Sequence, residues 1–277
     1  MARDRVGKKP LYFLDDGRTV LFASDIKSIW SIRSSELTND PWALDEFLFN
    51  YYIQQDRSIY QQVGKLQPAE YAIFRLDAGN TTRKKYWSLS YANKSIRSES
   101  EWLDGLEHHL RQAVKRRLIA DVPIGAFLSG GVDSSTIAAL MAQESGRQIS
   151  TFTIGFERIE QYDERGHAKR VADHIKSRHQ EIVLEPNVWA ILPHLVWQYG
   201  EPFGDASAVP TYFVSKAARQ FVTVVLTGDG GDETLAGYDR HLSADRERRL
   251  GAIPSFIRRG LLLPACLVKL RARPSHP

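Results

Sequence analysis

From Ala126 to Ser135 the chain reads Ala-Phe-Leu-Ser-Gly-Gly-Val-Asp-Ser-Ser, an apolar run broken by two glycines, an acid and three hydroxyls. Apolar residues resume at helical spacing with Ile137, Leu140 and Met141. A strand, a glycine turn and a helix N-terminus in that order make an anion site. Free backbone N–H groups and the positive end of the helix dipole face outward together, and glycine lets a phosphate approach the backbone. The hydroxyls of Ser129, Ser134 and Ser135 add donors. The loop is neither G-x-x-x-x-G-K-S/T, since no lysine follows Gly131, nor G-x-G-x-x-G. Asp133 stands where a bare anion would be repelled, so the anion is expected to arrive with a divalent cation. Hard carboxylate oxygens suit Mg2+ bound to phosphate.

A second stretch of the same kind is Leu-Thr-Gly-Asp-Gly-Gly-Asp-Glu, residues 226 to 233. Its acids at Asp229, Asp232 and Glu233 repel one another unless a cation is close. In an open parallel sheet, ligands lie outside the carboxyl ends of the strands. The two loops are therefore expected to face one crevice, with Asp133 and Asp232 sharing a metal. Read as plain turns, the glycines would serve only backbone geometry and the acids would be solvated. The joint spacing S-G-G-x-D-S at a strand-to-helix junction favours the ligand.

The elements that must carry these loops alternate. Strand patterns near 124–128, 149–154, 181–184 and 221–226 are interleaved with helical patterns at 133–144, 163–175, 187–199 and 210–219, which predicts a parallel sheet covered by helices. Upstream, residues 11–30 read as a hairpin, with Leu11 to Leu14 and Val20 to Ala23 flanking a turn at Asp15-Asp16-Gly17. A helical stretch follows with Leu44, Phe47, Leu48 and Tyr51, then a strand near 70–76. The serine-rich block 88–100 is the linker candidate. Beyond it Trp102, Leu106, Leu110, Val114 and Leu118 predict a helix over 101–118. Two domains are expected, 1–92 and 101–277.

Composition narrows the function classes. The chain has 277 residues, 43% hydrophobic and 25% charged, with 37 Lys+Arg against 33 Asp+Glu. That balance gives no case for nucleic acid. The clusters Arg83 to Lys85, Lys115 to Arg117 and Arg246 to Arg249 read as solvated helix faces or loops. The lone Cys266, an apolar filler in its context, excludes an internal disulfide and fits a reducing compartment. The N-terminus has no apolar signal region, and the longest apolar stretch, 261–268, is short of a span. A cytoplasmic protein with no membrane partner is expected. His167, His174 and His179 match no zinc spacing and read as solvated.

The sequences Phe127 to Ser135 and Leu226 to His241 resemble the pyrophosphatase loop and second signature loop of asparagine synthetases. The intervening segments 151–184 and 200–219 are similar to that family. So are "ARDRVGKKPLYF", "LFASDIKSI" and "KKYWSL", which look like the end of its glutaminase domain. The resemblance implies an α/β fold. Its parts would be a parallel-sheet ATP-pyrophosphatase synthetase domain, of the adenine nucleotide α hydrolase kind, behind a β-rich remnant of an N-terminal-nucleophile glutaminase domain. It implies that aspartate, ATP and ammonia give asparagine, AMP and pyrophosphate through aspartyl-AMP. Ser129, Gly130, Gly131, Asp133 and Ser134 would hold pyrophosphate, with Asp133 and Asp232 on Mg2+. Phe127, Ile154, Thr227 and Gly228 match nucleoside-contacting positions. Asp229 would be catalytic, standing where the family often has a glutamate one methylene longer.

The family's glutaminase opens on a cysteine nucleophile, whereas residue 2 here is Ala2, and the family's pyrophosphate-binding lysine has no counterpart in these residues. A chain incomplete at both ends is expected, using ammonia rather than glutamine, with a separate glutaminase polypeptide and a homo-oligomer as candidate partners. Two rival readings stand: another ATP-pyrophosphatase amide or lactam synthetase, and a catalytically dead remnant.

Overall fold

The computed structural model describes residues 1–54, 56–75, 80–92, 94–156, 163–184 and 188–239, and singly 241, 243 and 248. Cys266, the apolar stretch 261–268 and most of the Arg246 to Arg249 cluster lie outside the described residues.

The N-terminal hairpin forms as its alternation predicts. Strand β1 (Tyr12–Asp15) pairs antiparallel with β2 (Val20–Ala23), Tyr12 opposite Ala23. Asp16 closes the turn, its Oδ1 accepting from the Thr19 N–H at 2.7 Å. The hairpin reading ran to residue 30, but after β2 the chain enters α1 (Ile26–Arg33), because the Asp25 carboxylate caps it by accepting from Lys27 N–H at 2.9 Å. A 3-10 turn (Ser34–Glu36) leads to α2 (Pro41–Asn50), which carries Asp40 as its cap and proline at its start. Strand β3 (Gly64–Lys65) adds to β1, giving the order β2-β1-β3.

Strand β4 (Glu70–Arg75) pairs antiparallel with β5 (Asn80–Lys85). The basic cluster Arg83 to Lys85 thus lies on a strand, a correction to the helix-face or loop reading. Arg83 sets it there: its guanidinium donates to Glu70 at 2.7 Å and rests over the Phe13 ring, 5.4 Å from the centroid. Helix α3 (Glu99–Arg117) follows the linker.

Then come β6 (Ile124–Phe127), α4 (Val132–Ser145), β7 (Ser150–Phe156), α5 (Arg165–His174), β8 (Arg178–Leu184), α6 (Val188–Tyr199), α7 (Ala208–Ala218), β9 (Val224–Leu226) and the short α8 (Gly231–Leu235). The sheet runs β8-β7-β6-β9, with β6 parallel to both neighbours; Gly125 faces Ser150 on one side and Val225 on the other. Gly125 has to be glycine, since a Cβ there would lie 2.7 Å from the Phe152 ring. No helix of the described residues is long and apolar enough to cross a membrane.

By internal contacts the chain divides into two units. The first is Met1–Glu107 with Phe156–Glu160 and Val183–Gln220; the second is His108–Gly155, Gln161–Ile182 and Phe221–Pro277. The first buries Tyr12, Leu14, Ile26, Ile29 and Val63. It also holds a largely buried ion pair contributed by distant parts of the chain. Glu201 Oε1 accepts from Ile59 N–H at 2.9 Å, and its Oε2 accepts from the Tyr12 hydroxyl and Lys65 Nζ, each at 2.8 Å. Burial, and then the Glu201 charge, push the Tyr12 hydroxyl pKa far above its ordinary value. The second unit packs Val114, Ile124, Ala126, Leu128, Ala138, Leu140, Met141, Ala168 and Leu226 as its core.

Candidate active site

Strand β6 delivers the first loop. Leu128, 1% exposed, still donates its N–H to Phe152 O at 2.9 Å, and only then does the chain turn. Gly130 makes the turn with φ 82°, and Gly131 enters α4 as its extended N-cap with no side chain capping the first turn. The first-turn amides of α4 are thus left to face outward. The serines brace the loop rather than cap it: Ser129 Oγ and Ser134 Oγ are 2.8 Å apart, and the Gly131 N–H donates to Ser129 Oγ at 3.2 Å. Ser135 Oγ is buried and has no hydrogen-bond partner among the described residues.

Strand β9 delivers the second loop, and glycine lets it close on the first. A Cβ at Gly228 would lie 2.8 Å from Ser134 N, and one at Gly231 would overlap the Asp133 carboxylate. The structure therefore brings together Ser129, Gly130, Gly131, Asp133, Ser134, Gly228 and the start of α8. The carboxylates of Asp133 and Asp232, both residues half-buried, make no hydrogen bond or ion pair among the described residues. Asp232 lies against Gly237. Asp229 is exposed and held, its Oδ2 accepting from the Thr227 hydroxyl at 2.9 Å. Phe127 and Ile154, both half-buried, stand near the carboxyl ends of the adjacent parallel strands β6 and β7.

Sequence reasoning missed what α5 contributes. Its first turn packs on the glycine loop: a Cβ at Gly130 would lie 2.5 Å from His167 Cβ and 2.6 Å from Ala168 N. Arg165 packs over Gly155 and is clamped by Asp163, with Nε donating at 2.8 Å and Nη2 at 2.7 Å. Those bonds hold the Asp163 carboxyl down at about 2. Gly130 and Gly155 were the signal, since the missing side chains there permit this close approach. His167 and His174 are exposed, with His167 Nδ1 2.9 Å from Arg170 Nη2, but the solvated reading is corrected for His179, which is half-buried by packing against β7 with Nδ1 2.9 Å from Thr151 Oγ1. Among the described residues no group of three or more His, Cys, Asp or Glu is placed to hold a metal.

Two family profiles match: asparagine synthase over residues 105–274 and the glutamine amidotransferase domain over residues 1–87. The chain belongs to the asparagine synthase family. Among relatives of this asparagine synthase-family chain, a Methanocaldococcus jannaschii protein provisionally described as glutamine-hydrolysing asparagine synthetase 2 is 38% identical, covering 93% of this chain and 50% of its own. Asparagine synthetase 1 (glutamine-hydrolysing) of Bacillus subtilis is 32% identical, covering 96% and 42% respectively. The chain thus spans half or less of these relatives. The solved glutamine-dependent NAD+ synthetase of Acinetobacter baumannii, in complex with ADP, overlaps 65% of this chain and 34% of its own at 19% identity, with a TM-score of 0.33.

Proposed function

We propose that residues 101–277 form an ATP-dependent amide ligase that converts aspartate, ATP and ammonia to asparagine, AMP and pyrophosphate, behind a glutaminase-type segment at 1–92, in the cytoplasm. The observation that carries this reading is the convergence of two glycine-acid loops at the carboxyl ends of β6 and β9, with Gly228 against Ser134 and Gly231 against Asp133. The two similar synthetases support the choice of acceptor.

In this reading the acceptor's side-chain carboxylate attacks the α-phosphorus of ATP, the bond to the β-phosphate bridge breaks, and pyrophosphate departs. Ammonia then adds to the acyl carbon of aspartyl-AMP and AMP leaves. Activation comes first because an amine cannot displace oxide from a carboxylate. The amides at Gly130, Gly131 and the first turn of α4, with the Ser129 and Ser134 hydroxyls, bind the phosphates being released. Phe127, Ile154, Thr227 and Gly228 contact the nucleoside. Asp229 reaches the reacting carboxyl and handles the protons of the incoming ammonia.

The donor set suits Mg2+. Asp133 and Asp232 offer hard oxygens that no described residue engages, and Mg2+ on nucleotides uses one or two carboxylates with phosphate oxygens and waters. Asp133 and Asp232 would hold it, and it would neutralise phosphate charge.

The test supplies Mg2+, ATP, aspartate and ammonium chloride and follows asparagine, AMP and pyrophosphate. Stoichiometric AMP with asparagine is expected. Adenylate formation with another carboxylate only would replace the acceptor, and absence of any ATP turnover or binding would defeat the ligase reading.

A further inference from the structure

Resting on the phosphate reading of the 129–134 loop, we infer that Arg170 and His167 of α5 form a basic arm that binds the β- and γ-phosphates of ATP and the pyrophosphate that leaves. The contact that places the arm is between Gly130 and the first turn of α5. A methyl at Gly130 would lie 2.5 Å from His167 Cβ and 2.6 Å from Ala168 N, so the loop and this turn share one surface. His167 and Arg170 are both exposed on that helix, and His167 Nδ1 lies 2.9 Å from Arg170 Nη2. A guanidinium has donors only, so Nδ1 accepts. The imidazole proton then sits on Nε2, which leaves a second N–H donor beside the guanidinium.

The charges around the arm are unbalanced in a telling way. Arg170 has no carboxylate partner among the described residues, because its neighbours Lys169 and Asp173 pair with each other. In the two loops, Asp133, Asp229 and Asp232 likewise have no described cation partner. A phosphate chain carrying a divalent ion answers both. The ion meets the acids, and the outer phosphate oxygens meet a planar fork of donors, the geometry in which arginine binds phosphate most strongly. The β- and γ-phosphates are the part of ATP that AMP lacks, so the arm contributes to ATP and pyrophosphate and not to AMP.

That difference is the test. Calorimetric titration of the full 277-residue chain with Mg2+ and pyrophosphate, Mg2+ and ATP, and AMP compares wild type with variants. Arg170→Met is expected to weaken pyrophosphate and ATP by at least ~10-fold while leaving AMP within ~2-fold. Arg170→Lys recovers part of the loss, since it restores the charge without the fork. His167→Phe weakens pyrophosphate by less than Arg170→Met, because it removes one neutral N–H donor and the guanidinium's partner but no charge. Pyrophosphate binding by Arg170→Met equal to wild type overturns the inference. An equal loss for AMP also overturns it, by showing a structural effect. Wild type binding neither pyrophosphate nor ATP overturns the phosphate reading beneath it.

Discussion

Asp133 is the residue on which most of the proposed chemistry turns. It stands in the first turn of α4, its carboxylate makes no hydrogen bond or ion pair among the described residues, and Gly231 is pressed against that carboxylate. Asp133→Ala is expected to cost one to three powers of ten in Mg2+-dependent ATP affinity or turnover, at about 1.4 kcal/mol per tenfold. Titration with ATP across Mg2+ concentrations checks it, and affinity unchanged from wild type would remove the metal assignment. Gly130→Ala attacks the same loop through the backbone. Its φ of 82° and its contact with His167 and Ala168 leave no room for a methyl. A loss of about 1–3 kcal/mol in urea unfolding is expected. His179 gives a pH prediction. Burial, outweighing the pull of Glu181, holds its pKa below the ordinary value. The unfolded chain therefore takes up the proton first as pH falls through ~6.5, so this group's stabilisation is present above that pH and lost below it. His179→Gln should flatten the difference in urea midpoint between pH 7.5 and 5.5; a slope equal to wild type would discount the residue.

Among the elements, the segment from α6 to α7 shows how an ion pair can fix a loop. Glu201 uses both carboxylate oxygens on Ile59, Tyr12 and Lys65, and the side chains of Lys65 and Glu201 are 12% and 11% exposed. Glu201→Leu strands the Lys65 ammonium in a nearly dry setting, and a loss of about 3–5 kcal/mol is expected. Pairing it with Lys65→Met should recover much of that loss, because two apolar side chains of similar volume need no compensating charge. Denaturant melts of the single and double variants decide it: a double variant as unstable as Glu201→Leu would mean that packing, and not charge, is what was lost. The same segment is locked by the Trp30 and Trp197 rings, edge to face at 6.0 Å, and by Lys27 Nζ donating to Gln198 O at 2.7 Å.

At the scale of the whole molecule, Cys266 is the only cysteine of the chain, and in sequence it lies in the apolar run 261–268. Amide hydrolysis in the family's manner needs an activated thiolate. The 277-residue chain expressed by itself is therefore expected to use ammonium and not glutamine, and glutamate release from glutamine faster than in a Cys266→Ala control would refute that. What the sequence determined by itself was local or periodic. The hairpin at 12–23, the alternation of strands and helices from 124 to 226, and the two glycine-acid loops were legible because turn chemistry, hydrophobic period and motif spacing are all written within a few residues. Helix α1 was not, because at eight residues its period is short and its cap is Asp25, a residue type that serves turns and helix starts alike. Nor was the strand nature of Arg83 to Lys85, which depends on Glu70 and Phe13 as partners. Only the tertiary structure set α5 against Gly130, Gly231 against Asp133, and Glu201 between Tyr12 and Lys65. Close approach and charge pairing between residues tens to nearly two hundred positions apart depend on how the strands are ordered in space, and no local pattern encodes that order.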